Sequence, residues 1–305
     1  MRDDVRPFKL VSVLTLLVVG GVLAAPSLQG AAPWRGVEAT ARVEDGSFDS
    51  DGVRIHYSDN GDGEAVVLLH GLLGNAEQWQ GVSTALLDAG YRVVAIDARG
   101  HGQSDKPVET DQYGVPMVED VGRLLDHLGL DRVHLVGYSM GGLVTNRFRA
   151  DHPERLLSAT MGGFGWMNPD SPLADTTALA ESLAGADLGP LIAALTPGAP
   201  AMPEQQRTAM NAMIFATNDP RAIAAAVRGF RAIDNHTAES LGANQVPSLA
   251  LVGDEDALLR DVRAMQAVMA NLEVVELAGA NHLTAQGHPG FLERLLAFLD
   301  EHGAR

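Results

Sequence analysis

The 305-residue sequence contains no cysteine. This absence excludes disulfide bonds, thiolate metal sites, a catalytic thiol and a lipid-modified cysteine anchor. It does not fix the compartment, because an exported protein with a large enough core can fold without disulfides. Hydrophobic residues make up 46% of the chain, so we expect a buried core and little disorder.

Basic residues are also scarce: 22 stand against 39 acidic residues, and the formal net charge is −17. A surface with this excess of carboxylates repels phosphate backbones, so we expect no nucleic-acid partner. The excess is typical of a solvated acidic surface and says little about the substrate.

The amino terminus has the pattern of an export signal. Three basic residues within the first nine positions precede an apolar run from Leu10 to Ala25. A run of about 16 residues is short for a membrane span and suits a signal peptide. The small residues Gly30-Ala31-Ala32 then offer a cleavage site. Residues 1–32 are therefore predicted to be a cleaved signal peptide or an uncleaved anchor with transient membrane association. Both alternatives place the protein outside the cytoplasm, in the periplasm or secreted.

The rest of the chain divides into a short linker and a folded domain. We predict a linker at residues 33–46 and the domain at 47–305. From about 65 to 160, apolar runs alternate with helical stretches, which indicates a parallel sheet with helices on both faces. A segment at about 164–241 is rich in Ala, Pro and Met without a strand-like run, and predicts an inserted helical cap. Strand and helix alternate again from Ser248. The pattern predicts strands at 53–57, 65–69, 91–96, 132–136, 248–252 and 273–277, and helices at 76–90, 116–129, 257–270 and 291–301.

The run Gly137-Tyr138-Ser139-Met140-Gly141 fits the pattern G-x-S-x-G between a predicted strand and a predicted helix. A serine on so tight a turn has a strained backbone, and larger residues two positions away would collide with it. We therefore predict Ser139 as a nucleophile. The loop His70-Gly71-Leu72-Leu73-Gly74 follows a buried strand, and we predict that the N–H of Leu72 pairs with that of Met140 to hold an oxyanion.

Five runs together, HGLLG, DARGHGQSD, HLVGYSMGG, LVGDEDALL and GANHL, resemble the α/β-hydrolase fold superfamily in order and spacing. The resemblance covers residues of about 50 to 300. It is closest to the esterase, lipase and cofactor-free haloperoxidase-like branch. It implies an α/β fold with a mostly parallel eight-stranded sheet, flanking helices and a short helical cap.

The resemblance also implies a serine, acid and histidine in that chain order. His282, in Gly-Ala-Asn-His, is similar to the family's base, with His288 as the alternative; His70 and His101 are expected to shape loops. The family's spacing selects Asp256 as the acid, and Asp254 remains the alternative.

The other charged residues in these runs are assigned no catalytic role. Glu255 is expected to be solvated, and the charged residues of the run at 97–105 (Asp97, Arg99 and Asp105) to hold their loop.

The implied activity is cleavage of a small-molecule or lipid carboxylic ester through an acyl-enzyme, without a metal or organic cofactor. A serine nucleophile disfavours the dehalogenases and epoxide hydrolases of the family, which use aspartate. Two alternatives remain: peracid formation of the cofactor-free haloperoxidase type, and an inactive binding protein. Apolar residues of the cap are expected either to line the pocket or to pack its helices: Phe164, Trp166, Met167, Met210, Met213, Ile214 and Phe215.

Export predicts a shortened mature chain. If residues 1–32 are cleaved, three basic and two acidic residues leave with them, and the net charge becomes −17 − (3 − 2) = −18. Mass spectrometry of the protein recovered from fractionated cells reads the mature amino terminus. A chain that begins at Met1 and lies in the cytosol would contradict export.

Overall fold

The computed structural model describes residues 44–304, apart from 168–170 and 172–174. The predicted signal peptide or anchor at 1–32, and the predicted linker as far as residue 43, lie outside the described residues and remain predictions. Among the described residues, no helix has both the length and the apolar character needed to cross a membrane.

Eight strands form one sheet in the order β1-β2-β4-β3-β5-β6-β7-β8. Strand β2 is antiparallel to both of its neighbours, and every other neighbouring pair is parallel. The expected mostly parallel eight-stranded sheet is therefore confirmed. The strands are β1 Glu44–Ser50, β2 Val53–Asn60, β3 Ala65–Leu69, β4 Arg92–Ile96, β5 Val133–Tyr138, β6 Leu156–Gly162, β7 Ser248–Gly253 and β8 Leu272–Leu277.

The parallel strands are joined by helices. Five of them, α4 to α8, lie between β6 and β7, and the described residues of that stretch form no strand. The helices are α1 Gln80–Asp88, α2 Val115–His127, α3 Met140–Asp151, α4 Thr177–Ala184, α5 Gly189–Leu195, α6 Glu204–Ile214, α7 Pro220–Ile233, α8 Ala238–Ala243, α9 Leu259–Gln266 and α10 Pro289–Glu301.

The central strands are buried along their whole length. Every residue of β3, β5, β6 and β7 is buried, as expected for strands covered by helices on both faces. On one face, Trp79 and Phe291 pack within the main hydrophobic cluster, with their ring centroids 6.5 Å apart. The loops with the predicted site residues begin at the carboxyl ends of these parallel strands.

Two strands differ from the sequence prediction. Strand β1 begins at Glu44, so residues 44–46 belong to the sheet and not to the predicted linker. Its sequence is mostly polar, and it is held by backbone pairing to β2 from Ser50 back to Glu44. The turn between them, Asp51-Gly52, has positive φ at both residues, which suits the tight hairpin. Strand β6 is buried between β5 and β7 and was also not predicted.

Candidate active site

Ser139 is the single residue between the end of β5 and the start of α3. Its φ of 54° and ψ of −112° lie in the left-handed region that non-glycine residues rarely adopt. The turn is held on both sides: the Ser139 N–H donates to Gly162 O at 2.7 Å, and the Leu143 N–H donates to Ser139 O at 3.0 Å. The strained conformation is therefore imposed by β6 and by the first turn of α3.

Glycines flank this turn because there is no room for a side chain. A Cβ at Gly137 would lie 2.0 Å from the carbonyl oxygen of Gly141, and a Cβ at Gly141 would lie 2.1 Å from that of Leu69. Both distances are far shorter than a van der Waals contact. The crowding predicted from the motif is confirmed.

Ser139, His282 and Asp256 lie in one line of contacts. The Nε2 atom of His282 is 3.0 Å from Ser139 Oγ, and its Nδ1 atom is 2.9 Å from Asp256 Oδ2 and 3.2 Å from Oδ1. An ionised carboxylate only accepts hydrogen bonds, so a proton on Nδ1 leaves the lone pair of Nε2 directed at the serine hydroxyl. The structure thus brings together the three side chains selected from the sequence.

The two candidate acids have different partners. The Asp256 side chain is 0% exposed, and its Oδ1 also accepts the Leu258 N–H at 2.9 Å. Asp254 accepts the Gly279 N–H at 2.7 Å. This hydrogen bond joins the loop after β7 (the acid loop) to the loop after β8 (the histidine loop). A Cβ at Gly253 would lie 1.9 Å from Ala280 O, so the absence of a side chain lets these loops touch.

The remaining candidates, Glu255 and His288, lie in different surroundings. Glu255 is exposed, as expected. His288 precedes α10, where its Nδ1 accepts the Gly290 N–H at 3.1 Å. This places His288 at a helix start, whereas the imidazole in contact with Ser139 Oγ is that of His282.

The predicted oxyanion donors lie on two elements that meet at Ser139. Met140 begins α3, where the first N–H groups have no partner within the helix and the helix dipole is positive. Leu72 lies in a turn closed by the Gly74 N–H and Gly71 O at 3.0 Å, which leaves its own N–H outside that hydrogen bond. A Cβ at Gly71 would lie 3.5 Å from Ser139 Cβ, so this turn runs beside the serine.

His70 holds this turn in place. Its Nε2 accepts the Ala98 N–H at 3.0 Å, and its Nδ1 donates to Gly71 O at 2.7 Å. Burial lowers the pKa of His70, so the ring stays neutral, as acceptance at Nε2 requires. His101 is also buried, and burial lowers its pKa to about 3. Both histidines shape loops, as expected.

Asp97 binds three separate segments. Its carboxylate accepts the N–H groups of Ala76 at 2.7 Å and Gln103 at 2.8 Å, and lies 3.0 Å from His56 Nδ1. The expectation that it holds its loop is confirmed.

Arg99 and Asp105 fasten the same loop at two further points. Arg99 makes a buried two-point ion pair with Asp120, in which both N–O distances are 2.7 Å. Asp105 accepts the Arg54 N–H at 2.9 Å. Their expected structural role is confirmed.

Sequence reasoning did not assign a contact to Tyr138 or to Gln78. The Tyr138 hydroxyl donates to His282 O at 2.6 Å. The Gln78 Oε1 accepts the Gly71 N–H at 3.1 Å, and its Nε2 donates to Gln286 Oε1 at 2.7 Å. No local sequence signal could reveal these pairs, because 144 residues separate Tyr138 from His282 and 208 separate Gln78 from Gln286.

The seven apolar cap residues predicted to line the pocket or pack the cap helices differ in burial. Phe164, Met167, Met210 and Ile214 are buried, whereas Met213 is 37% exposed. A cavity of about 480 Å³ lies in the cap between α5, α6 and their connection, and none of the predicted lining residues borders it. Trp166 and Phe215 are half-buried. The choice between pocket lining and helix packing stays a prediction for the whole set.

Comparison with known proteins gives one family and a wide range of relatives. The family described as alpha/beta hydrolase fold matches residues 64–189. The chain is 41% identical over 114 residues to 2-hydroxy-6-oxo-6-phenylhexa-2,4-dienoate hydrolase of Comamonas testosteroni. That match covers 36% of the chain and 40% of the relative, so it spans about two fifths of the relative's length.

Solved structures match over most of the chain. A structure from work on carboxylesterases of Nitrososphaera gargenis has a TM-score of 0.70 at 22% identity, and the match covers 85% of this chain and 98% of that one. Bromoperoxidase from Bacillus anthracis has a TM-score of 0.68 at 25% identity, covering 84% of this chain and all of the other. The fold expected from the resemblance is confirmed.

The crowding at the turn predicts a large loss of stability for Gly141→Ala. The added methyl would meet Leu69 O at 2.1 Å, so we expect the free energy of unfolding in urea to fall by about 3 kcal/mol or more. Gly81→Ala is the matched control, because it lies in α1 with nothing within 4 Å of its Cβ. The control is expected to gain about 0.5–1 kcal/mol. Equal unfolding free energies for the two variants would contradict the packing described.

Proposed function

We propose that this chain is a serine hydrolase of the α/β-hydrolase fold superfamily, and that it cleaves a carboxylic ester through an acyl-enzyme. The observation that carries the proposal is the line of contacts from Ser139 Oγ to His282 Nε2 at 3.0 Å and from His282 Nδ1 to Asp256 Oδ2 at 2.9 Å. A serine hydroxyl is a weak nucleophile at neutral pH, and such a line supplies the base and the group that orients it.

In the proposed first step, Ser139 Oγ attacks the acyl carbon while His282 Nε2 takes the hydroxyl proton. The buried Asp256 carboxylate stabilises the imidazolium that forms. His282 then gives its proton to the alcohol oxygen as the C–O bond breaks, which leaves the acyl group on Ser139.

Negative charge develops on the carbonyl oxygen during this attack. We propose that the N–H groups of Leu72 and Met140 donate to it. The support is the position of Met140 at the start of α3 and that of the Leu72 turn beside Ser139. In the second step, His282 takes a proton from water as the water oxygen attacks the acyl carbon. The bond from that carbon to Ser139 Oγ then breaks, His282 returns the proton to Ser139 Oγ, and the acid is released.

The choice of an ester rests on the nucleophile. A side-chain serine with a neighbouring base transfers acyl groups, whereas the family's dehalogenases and epoxide hydrolases use aspartate at this position. The relative from Comamonas testosteroni is named as a hydrolase of a substituted dienoate, and fold alone does not name a substrate. The proposal is therefore limited to small-molecule or lipid esters as a class.

Covalent labelling tests the nucleophile. We expect a fluorophosphonate probe to label the purified protein stoichiometrically, because the activated Ser139 hydroxyl attacks its phosphorus atom. Ser139→Ala should abolish labelling while it leaves the unfolding midpoint nearly unchanged. Absence of labelling in the wild type, or equal labelling of the variant, would refute the proposal.

Two substitutions of the same kind, two positions apart, test the acid. Asp256→Asn should lower kcat about a thousandfold or more, because the amide no longer fixes the tautomer of His282 or stabilises its charge. Asp254→Asn keeps an oxygen that can accept the Gly279 N–H, and we expect less than about a tenfold loss. Hydrolysis of a nitrophenyl ester measures both. A larger loss for Asp254→Asn would move the acid to that residue.

A further inference from the structure

We propose that Tyr138 is a positioning residue that holds the backbone of His282 so that its imidazole reaches Ser139. The inference rests on the proposed function, because it assigns the tyrosine a role in the same reaction. Tyr138 occupies the first variable position of the G-x-S-x-G pattern, directly before the proposed nucleophile Ser139.

One side chain links the two ends of the serine–histidine contact. Tyr138 precedes Ser139 directly, so its backbone carries the turn, and its hydroxyl donates to His282 O at 2.6 Å. The Tyr138 ring lies 5.6 Å from the His282 ring and 6.1 Å from that of Phe291, measured between centroids. Tyr138 and Phe291 are both buried, so the ring has a fixed position from which to hold the histidine backbone.

The end of β6 is shaped around this contact. A Cβ at Gly162 would lie 2.6 Å from the Tyr138 ring. A Cβ at Gly163 would lie 3.1 Å from the Tyr138 hydroxyl and 3.2 Å from His282 Cε1. Gly163 also has a φ of 54°. Gly162 at the end of β6 and Gly163 after it thus let the backbone pass close to the tyrosine, and Gly163 lets it pass close to the histidine.

The hydroxyl keeps its proton under the conditions in which an esterase works. Burial, together with the nearby Asp256 charge, raises the pKa of Tyr138. The group therefore remains a donor to the His282 carbonyl through neutral and mildly alkaline pH.

The first experiment compares Tyr138→Phe with Tyr113→Phe. Tyr113 is the matched control, because its side chain is also buried and its hydroxyl also donates to a backbone carbonyl at 2.6 Å, that of Pro107. We expect Tyr138→Phe to lower kcat roughly fivefold, the factor that one neutral hydrogen bond of about 1 kcal/mol supplies, with KM unchanged. Tyr113→Phe should leave kcat unchanged. Equal kcat values for the two variants would overturn the proposal.

The second experiment separates positioning of the imidazole from a general role in the fold. In a His282→Ala background, the carbonyl that accepts the tyrosine hydroxyl remains, but the imidazole is gone. Adding Tyr138→Phe should then leave the slow residual rate of fluorophosphonate labelling unchanged. A further fall by the same factor as in the wild type would show that Tyr138 does not act through His282, and would overturn the proposal.

The third measurement does not depend on turnover. In histidine-labelled protein, NMR reads the Nδ1 proton that His282 shares with Asp256. We expect its signal to shift or broaden in Tyr138→Phe and to stay unchanged in Tyr113→Phe; an unchanged signal in both would overturn the proposal. If the wild-type protein does not react with fluorophosphonate, only the proposed function is refuted. The NMR signal of the His282 Nδ1 proton does not require that reaction, so it still reports whether Tyr138 holds the ring.

Discussion

The close approach of three backbone segments at Ser139 is the constraint on which the rest of the site depends. Gly137, Gly141 and the carboxyl end of β3 meet at distances that leave no space for a Cβ, and Ser139 is held at positive φ by hydrogen bonds to β6 and α3. Such strain persists only when the surrounding structure enforces it. Here the enforcing structure is the fully buried centre of the sheet, which also fixes where the neighbouring loops begin.

The histidine loop and the acid loop are joined by similar contacts, namely a close backbone approach at a glycine and a hydrogen bond. Gly253 lets the acid loop touch Ala280, and Asp254 accepts the Gly279 N–H, so the two loops are joined at two points. The buried Asp256 carboxylate contacts His282 Nδ1, and the Tyr138 hydroxyl donates to the backbone oxygen of His282. A buried carboxylate that loses its hydrogen-bonding partner destabilises the protein. The contact of Asp256 with His282 therefore favours a single arrangement of the two loops.

Much of this arrangement could be predicted from sequence, and the exceptions have physical reasons. Strands β3 and β7 are continuous apolar runs because both faces are buried, and the glycines at 137 and 141 mark the crowded turn. Strand β1 has no such signal, because it is stabilised by pairing with β2 while its side chains are largely polar. The family's spacing selected Asp256 over Asp254, but the partners of the two carboxylates, His282 Nδ1 and the Gly279 N–H, are visible only in the folded chain. The contact of Tyr138 with His282 depends on packing between segments 144 residues apart, which no local pattern encodes.

The central claim is that Ser139 carries the acyl group during turnover. Rapid acid quenching during hydrolysis of a nitrophenyl ester, followed by mass spectrometry of the digested protein, tests it most directly. The account predicts that the acyl mass is found on Ser139 alone and accumulates with the first burst of nitrophenol. Turnover without an acylated peptide, or an acyl group on a different residue, would contradict it.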